Sequence, residues 1–234
     1  MIGGQACIVY GAAEFSRDSD FIILCTAKNL EFLKKALNSL NAELIYVPQL
    51  EKKYLEKGHA CHFRCMAKEV KNLRIDVISR LRGCEPFDKL WERRSRIISK
   101  DGHSIDVINL RDLVHSKKTQ RDKDWSMLKR LVENDIILHK DNPSKAQLRW
   151  WFCESRNVAR LIELAKKYPK TAKKCAAERA LLSYVIEANV KKLERQLQKE
   201  ELVERKKDIE YWNPLKKELE ILRQQRIKKK KIKI

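Results

Sequence analysis

With 234 residues, 43% of them apolar, the chain is long enough to bury a core as one large domain or a domain with an extension. Its 52 Lys or Arg outnumber 32 Asp or Glu, and the resulting charge of +20 predicts a surface that attracts polyanions such as RNA, DNA or nucleotides. No apolar stretch approaches the roughly 18 residues of a membrane span, no signal-peptide pattern opens the chain, and seven cysteines without framework spacing argue against a disulfide scaffold; the expected setting is a reducing cytoplasm with free thiols.

The first informative stretch runs from Gly3-Gly4 to Asp18-Ser19-Asp20, with thirteen residues between Gly4 and Asp18. Residues 15–24 read as a strand. On a strand, i and i+2 share a face, so Asp18 and Asp20 would present two carboxylates side by side. Such a pair repels itself unless a cation intervenes, and hard oxygen ligands suit Mg²⁺. Glycines just upstream allow close approach of backbone to a phosphate.

A predicted helix over 29–40 carries Leu30, Leu33, Leu37 and Leu40 at helical spacing. A strand follows over 42–47, then a short helix over 50–56 stopped by Gly58. Residues 59–65 and 73–80 alternate as strands, and 87–94 reads as a short helix. A hairpin is expected over 95–110, turning at Asp101-Gly102. Strands alternating with helices predict an α/β (α+β) domain over 1–140.

Beyond Arg111 the pattern is helical. A helix pair is expected over 112–118 and 123–133. Asp141-Asn142-Pro143-Ser144 reads as the linker to an all-helical, basic region over 145–234. There, 145–167 reads as one amphipathic helix and 171–209 as one helix or two. Leu182, Ile186, Val190, Leu193 and Leu197 form a short seam, and Asn213-Pro214 reads as a helix restart. From residue 191 to the end there are 16 Lys or Arg against 8 Asp or Glu, and the uncompensated Lys228–Lys231 run is a candidate handle for RNA.

The Gly3-Gly4…Asp18-Ser19-Asp20 stretch, with a later acidic strand in Leu73-Arg74-Ile75-Asp76-Val77-Ile78, resembles the nucleotidyltransferase superfamily related to DNA polymerase β. The likeness covers about residues 1–135. It is nearest to small stand-alone nucleotidyltransferases, including toxins of type IV toxin–antitoxin systems. The resemblance implies a minimal mixed sheet with flanking helices, two Mg²⁺ ions, and an NTP such as ATP as substrate. Asp18 and Asp20 would bridge both ions, and Asp76 would hold one. Gly3, Gly4 and Ser16 would contact phosphates. Lys117 or Lys118 would reach the triphosphate, joined by Arg121 and Lys123, with Asp124 orienting one of those two.

The chain departs from the family pattern in three places. Ser19 replaces an apolar residue, Glu14 stands where many relatives carry Arg, and little precedes Gly3. The last implies a Gly3-Gly4 turn tethered on one side, with an upstream segment or a partner completing the first strand.

Asp106, in Ser104-Ile105-Asp106-Val107-Ile108, repeats the pattern around Asp76, and periodicity does not separate them. Asp76 is preferred because the Asp106 strand leads straight into the helical region, as the late, non-catalytic strand does in the resembling fold. His59, Cys61, His62 and Cys65 are all zinc-type ligands, but strand geometry turns His62 away from the other three; a buried strand, with His62 or Arg64 lining the active cleft, is the expectation. In Trp150-Trp151-Phe152, Trp151 fits the apolar stripe of its helix and Trp150 does not; core packing or an interdomain contact is expected ahead of base stacking. The function expected is Mg²⁺-dependent transfer of an NMP to an acceptor hydroxyl, of RNA or tRNA first, a protein second, a small molecule third. The alternative is a catalytically silent member that binds nucleic acid or a partner.

Overall fold

A computed structural model describes residues 1–231. The chain is mixed α/β, with a four-stranded sheet and a helical C-terminal region. It divides into two compact units: Met1–Ser116 together with the described residues from Ile209 on, and Lys117–Asp208. The expected linker at 141–144 lies inside the second unit, between two of its helices.

In the first unit, α1 (Gly3–Val9) is followed by β1 (Asp18–Ile22), α2 (Ala27–Ser39), β2 (Ala42–Leu44), α3 (Lys52–Lys57), β3 (Cys61–Cys65) and β4 (Arg74–Ile78). Local signals set most of these bounds. The Thr26 side chain caps α2 by accepting from the Asn29 amide. Gly58, at φ 102, ends α3 in the left-handed conformation. The sheet order is β1-β4-β3-β2, with β1 and β4 parallel and the other pairs antiparallel.

One face of the sheet is apolar. Cys61, Phe63 and Cys65 of β3 and Ile75 and Val77 of β4 pack with Leu30 and Leu37 of α2 and Leu55 of α3. The period-two alternation turns His62, Arg64, Arg74 and Asp76 to the other face. Burial of this core is the main favourable term for the unit.

After α4 (Phe87–Glu92), β5 (Ser95–Ile98) and β6 (Ser104–Val107) form a separate two-stranded sheet around the Asp101-Gly102 turn, and α5 (Leu110–Ser116) follows. The expected one-sided tether of the glycine turn is not what the structure has. The Ile2 amide donates to the Asp20 carbonyl at 2.9 Å, and the Ile108 amide to the Met1 carbonyl at 3.0 Å. Ile2 is buried. Two residues therefore tie the start of α1 to β1 on one side and to the end of β6 on the other.

The second unit contains α6 (Asp122–His139), α7 (Lys145–Glu154), α8 (Val158–Lys167), α9 (Pro169–Ala176), α10 (Leu182–Ile186) and the first part of α11 (Val190–Lys231). Trp151 and Phe152 are fully buried, as their pattern predicts. Ser144 and Gln147 form a capping box at the start of α7.

The helices after residue 144 differ from the periodic reading. The single helix expected over 145–167 is two, because Asn157 caps α8 by accepting from the Arg160 amide at 3.1 Å. The seam through Leu182 and Leu197 is interrupted: α10 stops at Ile186, Ala188 turns at φ 52, and Ile186 and Val190 are exposed.

Asn213-Pro214 is not a restart, since Pro214 lies within continuous α11. An interior proline costs about 3 kcal/mol of helix stability. Side-chain contacts of the same turns offset this within the first unit, where Leu215 is buried and Glu218 accepts from Lys57 at 2.7 Å. The end of the basic run Lys228–Lys231 is only partly seen: the side chains of Lys229, Lys230 and Lys231, and residues 232–234, lie outside the described residues. Among the described residues no helix is long and apolar enough to cross a membrane.

Candidate active site

The polar face of the sheet carries the acidic residues. β1 and β4 are adjacent and parallel, with Asp20 opposite Asp76 and Asp18 opposite Arg74. The i, i+2 relation puts Asp18 with Asp20, and Arg74 with Asp76, on one face. The expected triad Asp18, Asp20 and Asp76 therefore lies along two neighbouring strands. Asp106 does not join it. It sits on β6 of the separate hairpin, where Arg94 and Arg96 each donate to it at 2.9 Å.

A cation already stands among these carboxylates. Arg74 donates to Asp76 through Nε and Nη2, both at 2.9 Å, and its Nη1 lies 3.9 Å from Asp18 Oδ2. This two-pronged pairing is the geometry that guanidinium and carboxylate favour. On the adjacent strand, His62 Nδ1 lies 2.8 Å from Asp76 Oδ1 and 3.1 Å from Arg74 Nη2. An Nδ1–H tautomer donates to the carboxylate, since the guanidinium nitrogen is itself only a donor. Tyr46 closes this side, with its ring 5.8 Å from the His62 ring and 5.8 Å from the Arg74 guanidinium carbon. Burial pushes the Asp76 carboxyl up, but the hydrogen bonds and charges of His62 and Arg74 outweigh it and hold its pKa below the usual value.

The glycines back the carboxylates. Gly3 has φ 67, and a Cβ there would stand 1.9 Å from Asp20 Oδ2. A Cβ on Gly4 would stand 2.4 Å from Ser16 Oγ. Ser16 Oγ donates to the Asp18 carbonyl at 3.0 Å. Only a residue without a side chain lets the start of α1 lie this close to Asp20 and Ser16.

The remaining expected contacts lie in the second unit. Asp124, whose side chain is 1% exposed, accepts from Lys117 Nζ at 3.2 Å, Thr119 Oγ1 at 2.7 Å and Arg121 Nε at 2.7 Å. Burial raises its pKa, but Lys117, Arg121 and Thr119 hold it lowered overall. Asp124 thus orients Arg121, one of the two residues expected. Lys118 pairs instead with Glu154 at 2.8 Å. Lys117 and Lys118 are buried, whereas the Arg121 side chain is 59% exposed.

The zinc-type cluster disperses. Cys61 and Cys65 belong to the apolar core, where burial pushes the Cys61 thiol up to about 12. His59 is buried with Nε2 2.9 Å from Glu218. Among the described residues, no three His, Cys, Asp or Glu side chains are arranged as a metal cage. The donor chemistry of Asp18, Asp20 and Asp76 nonetheless suits a hard divalent ion, and the position of Arg74 shows that the cluster draws positive charge to itself.

Arg74 and Tyr46 were not among the expected site residues. Arg74 was within reach of the period-two rule, being two before Asp76. Tyr46 carries no such signal, since its role depends on which strands are neighbours. No protein-family model matches this chain, and no curated protein matches it.

Proposed function

We propose that this chain is a Mg²⁺-dependent nucleotidyltransferase of the DNA polymerase β-like type. The observation that carries the reading is the placing of Asp18, Asp20 and Asp76 on one face of two adjacent parallel strands, with Gly3 and Gly4 packed against Asp20 and Ser16. Asp18, Asp20 and Asp76 would hold the two Mg²⁺ ions. Bound metal would supply charge neutralisation at the α-phosphate and at the attacking and leaving oxygens.

In the reaction an acceptor hydroxyl oxygen bonds to the α-phosphorus, and the bond from that phosphorus to the pyrophosphate oxygen breaks. Asp76, whose pKa Arg74 and His62 hold below the usual value, would take the hydroxyl proton. Arg74 carries a positive charge beside Asp18 and Asp76. Within residues 117–124, Arg121 and Lys123 are the exposed cations. The chain's charge of +20 favours RNA, tRNA first, as acceptor, ahead of a protein hydroxyl or a small molecule such as an aminoglycoside.

A second reading, a silent member of the same fold that only binds nucleotide or nucleic acid, draws on the engagement of Asp76 by both Arg74 and His62. One experiment separates the two: the full chain is incubated with each α-labelled NTP, Mg²⁺, and total RNA or lysate protein. The enzyme labels one acceptor class, and Asp20→Asn abolishes labelling without changing the circular dichroism spectrum. Absence of label from every acceptor, with Mg²⁺-dependent NTP binding intact, would leave the silent reading. As a toxin, the active chain would arrest growth on expression and Asp20→Asn would not.

A further inference from the structure

We infer that the second unit carries an anion cleft that takes a phosphate or short polyphosphate group, of a free nucleotide or of RNA. The cleft has a volume of about 560 Å³, and its cationic lining is Lys118, Arg156, Arg179, Lys199 and Lys207. A volume of this order suits a small ligand, since such sites typically span about 300–1,000 Å³.

The charges in the cleft do not cancel. Arg156 and Arg179 have side chains 6% and 8% exposed, and both donate to the same carboxylate, Glu200. The Arg179 contacts are 2.7 Å from Nη2 and 3.1 Å from Nε. The other nearby carboxylates are engaged by other cations: Glu154 by Lys118 at 2.8 Å, Glu178 by Arg149 at 2.8 Å, and Glu204 by Lys207 at 2.8 Å. Besides Glu200, the two buried guanidinium groups have only a share of Glu154, which also pairs with Lys118.

A buried charge lacking full compensation is costly. Arg156 shows that cost: burial first, and then the neighbouring Arg179 charge, lower its pKa in spite of Glu200 and Glu154. Arg156 Nε also has no hydrogen-bond partner among the described residues. Excess buried guanidinium charge that opens into a cleft rimmed by lysines is matched by a multiply charged anion that accepts from planar Arg groups, and phosphate has that chemistry. The cleft's role is independent of the nucleotidyl transfer proposed for Asp18, Asp20 and Asp76.

The test is calorimetric titration of the full chain in EDTA, which removes any divalent ion from the acidic cluster. The probes are pyrophosphate, ATP, and one RNA oligonucleotide with either a 5′-phosphate or a 5′-hydroxyl. At least one phosphate probe should saturate. Binding of pyrophosphate or ATP identifies a free phosphate ligand, and preference for the 5′-phosphate RNA alone identifies an RNA end. Lys199 and Lys207 are exposed on α11, so the pair Lys199→Glu and Lys207→Glu tests the site without opening the core. It should weaken binding at least about tenfold. The matched reversal Lys166→Glu and Lys170→Glu, on exposed residues of the same unit outside the cleft, should leave binding within about twofold of wild type. Absence of saturable binding by every probe, or equal weakening by both pairs, would overturn the assignment.

Discussion

Gly3→Ala is the sharpest perturbation of the acidic site, because two separate costs can be read from the structure. Gly3 lies at φ 67, where an L-residue costs about 1–2 kcal/mol. The new Cβ would also meet Asp20 Oδ2 at 1.9 Å, Cγ at 2.5 Å and Cβ at 2.7 Å. The start of α1 cannot simply swing away, since Ile2 is hydrogen-bonded to Asp20 and Met1 to Ile108. Overpacking of this kind costs about 1–3 kcal/mol, so the total is about 2–5 kcal/mol, a large share of the typical 5–15 kcal/mol that holds a domain of ordinary size folded.

Gly4→Ala is the control. Gly4 has no positive φ, and its Cβ would meet Ser16 Oγ at 2.4 Å, which can rotate, and Ser16 Cβ at 2.9 Å, which must shift slightly. A gain of about 1 kcal/mol in helix propensity offsets part of this shift and of the about 0.5–1.5 kcal/mol for losing the Ser16–Asp18 hydrogen bond, so Gly4→Ala should cost less than Gly3→Ala. Urea unfolding of both variants, and of a Gly3→Ala, Asp20→Gly cycle, measures the terms. Removing the Asp20 side chain should restore about 1 kcal/mol or more as a coupling energy, while the backbone cost remains. A Gly3→Ala protein as stable as wild type, or a cycle without coupling, would refute the close packing of Gly3 on Asp20.

The acidic assignment itself predicts that Asp76→Asn lowers NMP transfer by more than the about 100-fold upper end for an outer-shell partner, whereas Asp106→Asn leaves transfer largely intact; the reverse order in labelling assays would move the third carboxylate to β6. Asp124→Asn, by leaving Lys117 buried without its counter-charge, should cost about 3–5 kcal/mol in urea unfolding at neutral pH. The folded-state pKa of Asp124 is depressed, so its contribution is present above about pH 4, its unfolded value, and is lost as pH falls through the lower folded value. Wild type should therefore lose more stability than Asp124→Asn on acidification; equal slopes would contradict the ion pair. Leu215→Ala, buried in the first unit although far along α11, should cost about 2–5 kcal/mol; a change under about 0.5 kcal/mol, as at ordinary surface positions, would show that the returning segment is not part of that core.

The local signals of the first unit were legible because each acts within a few residues. Gly58 takes a left-handed φ, and Asp101-Gly102 turns its own hairpin. Period two put Cys61, Phe63 and Cys65 on one face and His62 on the other before any partner strand was known. The pairing of Asp18 with Asp20 followed from the same rule. Strand neighbours did not, because Asp76 and Asp106 sit in nearly the same alternating pattern, and only the sheet order sets one opposite Asp20 and the other in a separate hairpin.

Beyond residue 110 the balance shifts toward tertiary structure, because helical periodicity is much the same in one long helix as in two shorter ones. Asn157 breaks one helix because its side chain competes for a backbone amide. Pro214 fails to break another because burial of Leu215 and the contacts of Glu218 offset a missing hydrogen bond. The lysines expected at a triphosphate show the same dependence. The sequence places Lys117 and Lys118 near a triphosphate by resemblance alone, but the fold buries both and pairs them with Asp124 and Glu154, because a charge removed from water is held by the carboxylate that tertiary packing brings to it.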